Sequence, residues 1–187
     1  TYCVGLRLNH GLVFMSDTRT NAGVDNISTF RKMYTWEVPG ERLFTLMSAG
    51  NLATTQTVVS MLEEHTKAAE HRKTGIMEAP SMFLAAQMVG EMVREVIKSS
   101  ASGGLQSEAS FGATFIFGGQ VAGGAMRMFM IYPEGNFIEA TDDNPFFQIG
   151  EHKYGKPILV RAYDPDMSFE KAAKLLLVSF DSTLKSN

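Results

Sequence analysis

The chain begins with a threonine, and an N-terminal threonine carries a nucleophile and a base within one residue. Its hydroxyl is a poor nucleophile until a base removes the proton, and the free α-amine can act as that base. The amine must be neutral to accept the proton, and a nearby cation favours the neutral form. Removal of an initiator methionine, removal of a tag or a missing start would also leave a threonine first. Thr1 is therefore a candidate nucleophile whose assignment depends on the remaining residues.

Two charged residues fall at strand ends, from which they could reach Thr1. Asp17 follows the strand-like segment LVFMS, and Lys32 precedes the segment MYTWEV. Because strand ends on one sheet can converge, Asp17 and Lys32 could meet Thr1 and supply such a cation and a carboxylate that holds it. The spacing leaves simpler explanations open, namely a turn residue for Asp17 and a solvated edge lysine for Lys32.

The segments around these residues come as strands, two helices, strands and two helices. Turn signals at NHG and PGE predict two hairpins in the first fifty residues, and PEGN predicts a turn within a later meander. Helices are predicted from the N-cap residues Asn51 and Ser168, over residues 81–100, and in KYGKPILVRAY.

This order of elements favours an α+β fold. Hairpin turns imply antiparallel sheets, and helices with broad apolar faces must cover them. In the helix over 81–100, two adjacent columns form such a face: Leu84, Met88, Met92 and Val96, and Ala85, Val89, Val93 and Ile97. Two face-to-face sheets with helices outside would give a four-layer αββα sandwich, although the pattern alone does not require that arrangement.

Composition bounds the class of protein. A chain of 187 residues suggests one domain, and its net charge of −3 gives no general attraction to nucleic acid or an anionic membrane. No apolar stretch approaches the roughly 20 residues that span a bilayer. One cysteine excludes an internal disulfide, so we expect a reducing, cytoplasmic compartment. We expect no nucleic-acid or membrane partner.

The remaining reactive side chains do not form a cluster in the sequence. Cys3 would share a strand face with Thr1, which raises a thiol hypothesis, but a small buried residue is the favoured interpretation. The four histidines are scattered, and none has zinc-ligand spacing with cysteine or carboxylates. We therefore expect no metal and no cofactor.

Several separated motifs together resemble one family. TYCVGLRL, SDTRT, RK and LMSAGN resemble the N-terminal half of a proteasome β-type subunit, and TNAGVDNISTFRK and IGEHKYGKPIL are closest to its bacterial branch, Anbu. The resemblance covers essentially the whole chain. It implies the N-terminal-nucleophile hydrolase fold, an αββα sandwich. It also implies a single domain over 1–187 that lacks the closing strands with which family members end.

The resemblance also implies catalytic roles. Thr1 would be the nucleophile, with its α-amine as base and later as proton donor. Lys32 would be the cation that tunes Thr1, and Asp17 would hold Lys32. The backbone N–H of Gly50 would donate a hydrogen bond to the oxyanion.

Five further positions would contact the substrate if the resemblance holds. Arg19 would brace its loop, and Thr20 and Asn21 would line an edge where an extended peptide adds as a strand. Ser48 and Leu52 would border the specificity pocket.

The sequence departs from the family pattern at two places. The serine that usually supports the threonine amine is missing around Gly150, and its role is either vacant or taken by Glu151. An Asp-x-x-Ser element after the last helix is half met, with Asp181 as a further site candidate and Leu184 at the serine position.

The function implied by the resemblance is a threonine-type peptidase in a self-assembling bacterial particle. We expect a peptide or protein substrate and a homo-oligomer in a ring or split ring; an activator or ATPase partner is left open. Two alternatives stay open as well: an N-terminal-nucleophile amidase for a small amide or isopeptide, and a non-catalytic structural or binding subunit of a ring.

Overall fold

A computed structural model describes residues 1–21, 27–67, 75–102 and 108–186. In these ranges the strands are β1 (Tyr2–Leu8), β2 (Gly11–Ser16), β3 (Arg19–Asn21), β4 (Ile27–Thr29), β5 (Met33–Val38), β6 (Arg42–Gly50), β7 (Ala113–Val121), β8 (Arg127–Ile131), β9 (Phe137–Glu139) and β10 (Phe146–Gly150). The α-helices are α1 (Leu52–Thr66), α2 (Met82–Ala101), α3 (Lys156–Ala162) and α4 (Phe169–Lys185). Short 3₁₀ turns lie at Ile76–Glu78 and Glu108–Phe111.

The described strands form two main antiparallel sheets and one small hairpin. The larger sheet has the order β5-β6-β7-β8-β9, and the smaller one has the order β10-β1-β2. Strands β3 and β4 pair separately. Strand β1 is central in its sheet, with Cys3 opposite Ser16 of β2 on one side and Ile149 of β10 on the other.

Alternation along the strands separates the core into layers. Even-numbered residues of β1, such as Val4 and Leu6, pack with buried residues of α3 and α4. Cys3 instead joins a cluster between the sheets, where it meets Met47 and Ile116 of the larger sheet. Successive side chains of a strand point to opposite faces, so each sheet contacts a helix layer on one face and the other sheet on the other.

The larger sheet shows the same division. Phe44 and Leu46 of β6 pack with α1 and α2, whereas Met47 and Ala49 face the smaller sheet. The layers are thus helices, sheet, sheet and helices. This arrangement confirms the predicted α+β class and the four-layer αββα sandwich.

Local signals placed most helix starts correctly. The Asn51 side chain accepts a hydrogen bond from the Thr54 N–H at 3.0 Å, and the Ser168 side chain accepts one from the Lys171 N–H at 3.2 Å. These contacts confirm both predicted N-caps. Helix α1 is described as far as Thr66, and part of the longer helix predicted there, residues 68–73, lies outside the described residues.

Other elements differ from the prediction. Leu84 is 41% exposed, so the buried face of α2 is centred on the neighbouring column that contains Val89 and Val93. Strand β10 and the β3–β4 hairpin were not predicted. Both depend on pairing with partners that local sequence does not specify.

Candidate active site

The first two strands place a carboxylate beside Thr1. Asp17 directly follows β2, and its backbone N–H donates to the Tyr2 carbonyl at 3.0 Å. In return, the Tyr2 N–H donates to Asp17 Oδ1 at 2.9 Å. This reciprocal pair fixes the carboxylate so that Oδ2 lies 3.9 Å from the Thr1 nitrogen.

Lys32 approaches the same carboxylate from the larger sheet. It lies just before β5, and Ser48 of β6 donates its N–H to the Lys32 carbonyl at 3.0 Å. The Lys32 Nζ donates to Asp17 Oδ1 at 2.9 Å and also to the Arg19 carbonyl. Only 5% of Lys32 is exposed, so its charge is compensated by Asp17 and not by bulk water. The structure therefore brings Thr1, Asp17 and Lys32 together.

The strand end at β10 contacts the Thr1 backbone. The Glu151 N–H donates to the Thr1 carbonyl at 2.8 Å. Gly150 precedes it with a φ of +84°, and a Cβ there would collide with the Thr1 carbonyl, so glycine allows this close approach. The Glu151 carboxylate accepts a hydrogen bond from the Lys153 N–H at 3.2 Å. Glu151 thus contacts Thr1 through its backbone.

Gly50 ends β6 with a φ of +116°. It lies opposite Ala113 of β7, and a Cβ at this position would come within 2.5 Å of the Gly112 carbonyl. The same strand carries Ser48, which is buried, and leads into half-buried Leu52 at the start of α1. Ser48 and Leu52 do not line the pocket beside Thr1.

A pocket of about 200 Å³ opens beside Thr1. Besides Thr1 and Asp17, its lining residues come from the start of β1, from β3 and from the last turns of α4: Tyr2, Arg19, Phe180, Thr183 and Leu184. Sequence reasoning assigned Tyr2, Phe180 and Thr183 no role. The helical spacing of Phe180, Thr183 and Leu184 was the available signal, since residues three and four apart share a helix face.

The other predicted site residues lie as follows. Arg19 is exposed and lines the pocket, and it pairs with Thr29 across the β3–β4 hairpin. Thr20 and Asn21 belong to β3, but their side chains lie outside the described residues. The Asp181 side chain is 60% exposed and lies 3.0 Å from Lys185 Nζ, and it does not line the pocket.

The described ranges contain neither a cluster of metal-binding side chains nor a helix that could cross a membrane. No group of three or more His, Cys, Asp or Glu side chains in those ranges could hold a metal ion. No helix within the part of the chain that the structure describes has the length and apolarity needed to cross a bilayer.

Comparisons with known proteins give consistent matches. The family model described as proteasome subunit matches residues 1–187. Anbu (ancestral beta-subunit) from Yersinia bercovieri is 51% identical, with a TM-score of 0.92, and the match covers 100% of this chain and 76% of that one. Anbu from Hyphomicrobium sp. strain MC1 is 56% identical, with a TM-score of 0.89 and the same coverage. A structure described as a helical assembly of the Anbu complex from Pseudomonas aeruginosa is 46% identical, with a TM-score of 0.89 and the same coverage. Among curated proteins, the comparison finds no match.

Cys3 lies close to this site but is shielded from reagents. It is fully buried, and its Sγ lies 3.6 Å from the Ser48 carbonyl, to which it donates. Burial raises the pKa of the Cys3 thiol to about 12, and the negative charge of Asp17 adds to the increase. The reactive thiolate is therefore scarce at neutral pH.

We predict that a thiol reagent at pH 8 labels Cys3 of the folded protein roughly 10³-fold more slowly than Cys3 of the unfolded chain. The reason is the raised pKa, to which burial adds a steric barrier. The absorbance of the chromophore that the reagent releases gives the labelling rates of the folded and of the urea-unfolded protein, and the unfolded protein is the control. Equal rates would show that Cys3 is accessible and would revive the thiol hypothesis.

Proposed function

Because the chain belongs to the proteasome subunit family, we propose that it is a threonine-type peptidase with Thr1 as its nucleophile. The observation that carries this proposal is the Asp17 carboxylate, which bonds buried Lys32 through Oδ1 and faces the Thr1 nitrogen through Oδ2. The proposal requires that the Thr1 α-amine be free, because an amide nitrogen cannot accept the hydroxyl proton.

The chemistry follows from these groups. The neutral α-amine takes the proton from the Thr1 hydroxyl as Oγ1 attacks the carbonyl carbon of the scissile amide. The carbonyl oxygen becomes an oxyanion, to which the Gly50 N–H donates. The ammonium then gives its proton to the leaving nitrogen, the C–N bond breaks, and an ester to Thr1 remains. Water, deprotonated by the same amine, hydrolyses that ester and restores the hydroxyl.

An extended peptide is the substrate class that the site supports best. Within the described residues, β3 pairs with β4 on one edge and with no strand on the other. An exposed strand edge offers unpaired N–H and C=O groups to which a peptide can add. Because β3 carries Arg19, which lines the pocket beside Thr1, a peptide added along β3 would pass the nucleophile.

We further propose that the protein works as a homo-oligomer. The relative from Pseudomonas aeruginosa is described as a helical assembly. In the present structure, α4 exposes Leu177, Val178 and Leu184, each by more than half. A neighbouring subunit that covers apolar side chains of this kind would gain the free energy of removing them from water.

We predict that an electrophile selective for N-terminal threonine adds once to the wild-type protein, at Thr1. Thr1→Ala should abolish both this adduct and hydrolysis, and a methionine retained ahead of Thr1 should do the same because the amine becomes an amide. Intact-mass analysis detects the adduct, and peptide, isopeptide and small-amide substrates identify the reaction class. Wild-type hydrolysis rates in Thr1→Ala would contradict the proposal.

We predict that Asp17→Asn slows Thr1 modification by roughly 10²-fold or more, as expected when a positioned acid–base partner is lost. Lys32→Ala should have an effect of similar size. Glu170→Gln is the matched control, because it breaks an exposed ion pair with Lys174. Thermal unfolding is measured in parallel, since Lys32 is buried. A folded Asp17→Asn variant that is modified at the wild-type rate would remove Asp17 from the site.

We predict a particle larger than a dimer at micromolar concentration. Multi-angle light scattering gives its mass, and electron microscopy of the same fraction shows whether subunits form a ring, a split ring or a helix. A stable monomer across that concentration range would contradict the assembly proposal and leave the Thr1 proposal intact.

A further inference from the structure

Tyr2, the residue that follows Thr1, has a buried side chain whose hydroxyl makes two hydrogen bonds to other side chains. Tyr2 is only 3% exposed, and its hydroxyl accepts a hydrogen bond from the Gln148 side-chain amide. The Tyr2 hydroxyl oxygen lies 2.8 Å from Ser179 Oγ, and Ser179 donates its own proton to the Gly155 carbonyl at 3.1 Å. Since Ser179 uses its proton on Gly155, Tyr2 is the donor to Ser179.

These four residues form a directed chain of hydrogen bonds across two layers of the fold. Gln148 is on β10, Tyr2 is on β1, Ser179 is on α4, and Gly155 precedes α3. Burial raises the pKa of Tyr2, so its hydroxyl stays protonated and able to donate. The chain thus connects the smaller sheet to both helices that cover it.

Close packing reinforces the chain. The Tyr2 and Phe180 ring centroids are 4.6 Å apart. A Cβ on Gly155 would collide with the Tyr2 hydroxyl and come within 2.5 Å of Ser179 Oγ, so only glycine leaves room for these bonds. Gly155 has a φ of −83°, which any residue can adopt, so the requirement is one of space.

The backbone of Tyr2 connects this chain to the candidate nucleophile. Its N–H donates to Asp17 Oδ1, and its carbonyl accepts from the Asp17 N–H. The Tyr2 N–H belongs to the peptide group that joins Thr1 to Tyr2. A shift of the Tyr2 side chain therefore moves both the Thr1 amine and the carboxylate that faces it.

We propose that Tyr2 is a positioning residue for Thr1, held in place by the hydrogen-bond chain Gln148–Tyr2–Ser179–Gly155. Its consequence for catalysis rests on the proposed function, whereas its consequence for the geometry of Thr1 does not. Small displacements of a reacting group slow reactions steeply. Loss of these hydrogen bonds therefore lowers the rate of Thr1 modification beyond what the change in the thermal unfolding midpoint would account for.

The molecule contains a matched control at the other end of the same strand. Tyr163, which follows α3, donates its hydroxyl to the Arg7 carbonyl of β1, and its ring lies 5.8 Å from that of Phe146. Tyr163→Phe removes a comparable tyrosine bond between β1 and the helix layer, but far along β1 from Thr1. It measures the purely structural cost of such a loss.

The experiment compares Tyr2→Phe and Gly155→Ala with Tyr163→Phe, each made in the otherwise unchanged protein. The rate of Thr1 modification at saturating electrophile is measured together with the thermal unfolding midpoint. The NMR signal of the Thr1 methyl group in ¹³C-threonine-labelled protein, assigned with Thr1→Ser, reports the position of Thr1 without any reaction. We expect Tyr2→Phe and Gly155→Ala to shift the methyl signal and slow modification about tenfold. Tyr163→Phe should leave both unchanged at a similar unfolding midpoint.

Four outcomes separate the alternatives. A wild-type methyl signal and rate in Tyr2→Phe would overturn the positioning proposal, and so would equal losses in Tyr163→Phe. If Tyr2→Phe does not fold, Ser179→Ala, which removes the acceptor and leaves Tyr2 in place, is judged by the same criteria. If the wild-type protein is never modified, the proposed function fails, and the methyl signal alone decides the positioning proposal.

Discussion

The geometry around Thr1 depends on one largely buried carboxylate, Asp17, whose side chain is 12% exposed. Asp17 Oδ1 accepts two hydrogen bonds, from the Tyr2 N–H and from Lys32 Nζ, both at 2.9 Å. Its other oxygen faces the Thr1 nitrogen. A buried lysine charge is costly unless it is paired, and a buried carboxylate is costly unless its lone pairs are satisfied. Lys32 and Asp17 therefore compensate each other's charge, and removal of either one leaves the other without its oppositely charged partner.

This interaction also joins the two sheets. Asp17 follows a strand of the smaller sheet, whereas Lys32 precedes a strand of the larger one. The cluster between the sheets is apolar and closely packed, with Met47, Ile116 and Met128 among its fully buried residues. At Gly5 of β1, for example, a Cβ would come within 2.5 Å of Met128 Sδ. The ion pair between Lys32 and Asp17, at 2.9 Å, thus links the two sheets across a closely packed apolar layer.

Sequence patterns predicted the turns and helix caps of this arrangement and missed the pairing of strands that lie far apart in the sequence. Turn and cap residues report on their own neighbours, so the Pro39-Gly40 hairpin and the Asn51 cap follow from local rules. The sequence places Asp17 and Lys32 at strand ends and predicts that they could meet by converging on one sheet. They do meet, but the expectation of one sheet is wrong, because Asp17 follows β2 of the smaller sheet and Lys32 precedes β5 of the larger one. Strand β10 was missed because its pairing with β1 joins residues that lie far apart in the sequence.

The same limit applies to side chains that touch across layers. Tyr2 and Ser179 are 177 positions apart in the sequence, and no spacing rule connects them. Glu151 was predicted from its position next to Gly150, but position does not reveal whether backbone or side chain makes the contact. In the structure the Glu151 backbone N–H contacts Thr1, whereas the Glu151 carboxylate accepts a hydrogen bond from the Lys153 backbone N–H. Residue type and position in the sequence indicate which residues belong to the site. Which atom of each residue makes the contact depends on the fold.

The charge of Asp17 bears on the step of the proposed reaction that creates a new charge on Thr1. During attack, the hydroxyl proton moves to the amine and creates a cation 3.9 Å from Asp17 Oδ2, which stabilises it. Since Oδ1 is already occupied by Lys32 and the Tyr2 N–H, Oδ2 is the oxygen left to face that new charge. In the proposed reaction the carboxylate thus has two parts to play: Oδ1 holds Lys32, and Oδ2 stabilises the ammonium that forms on Thr1.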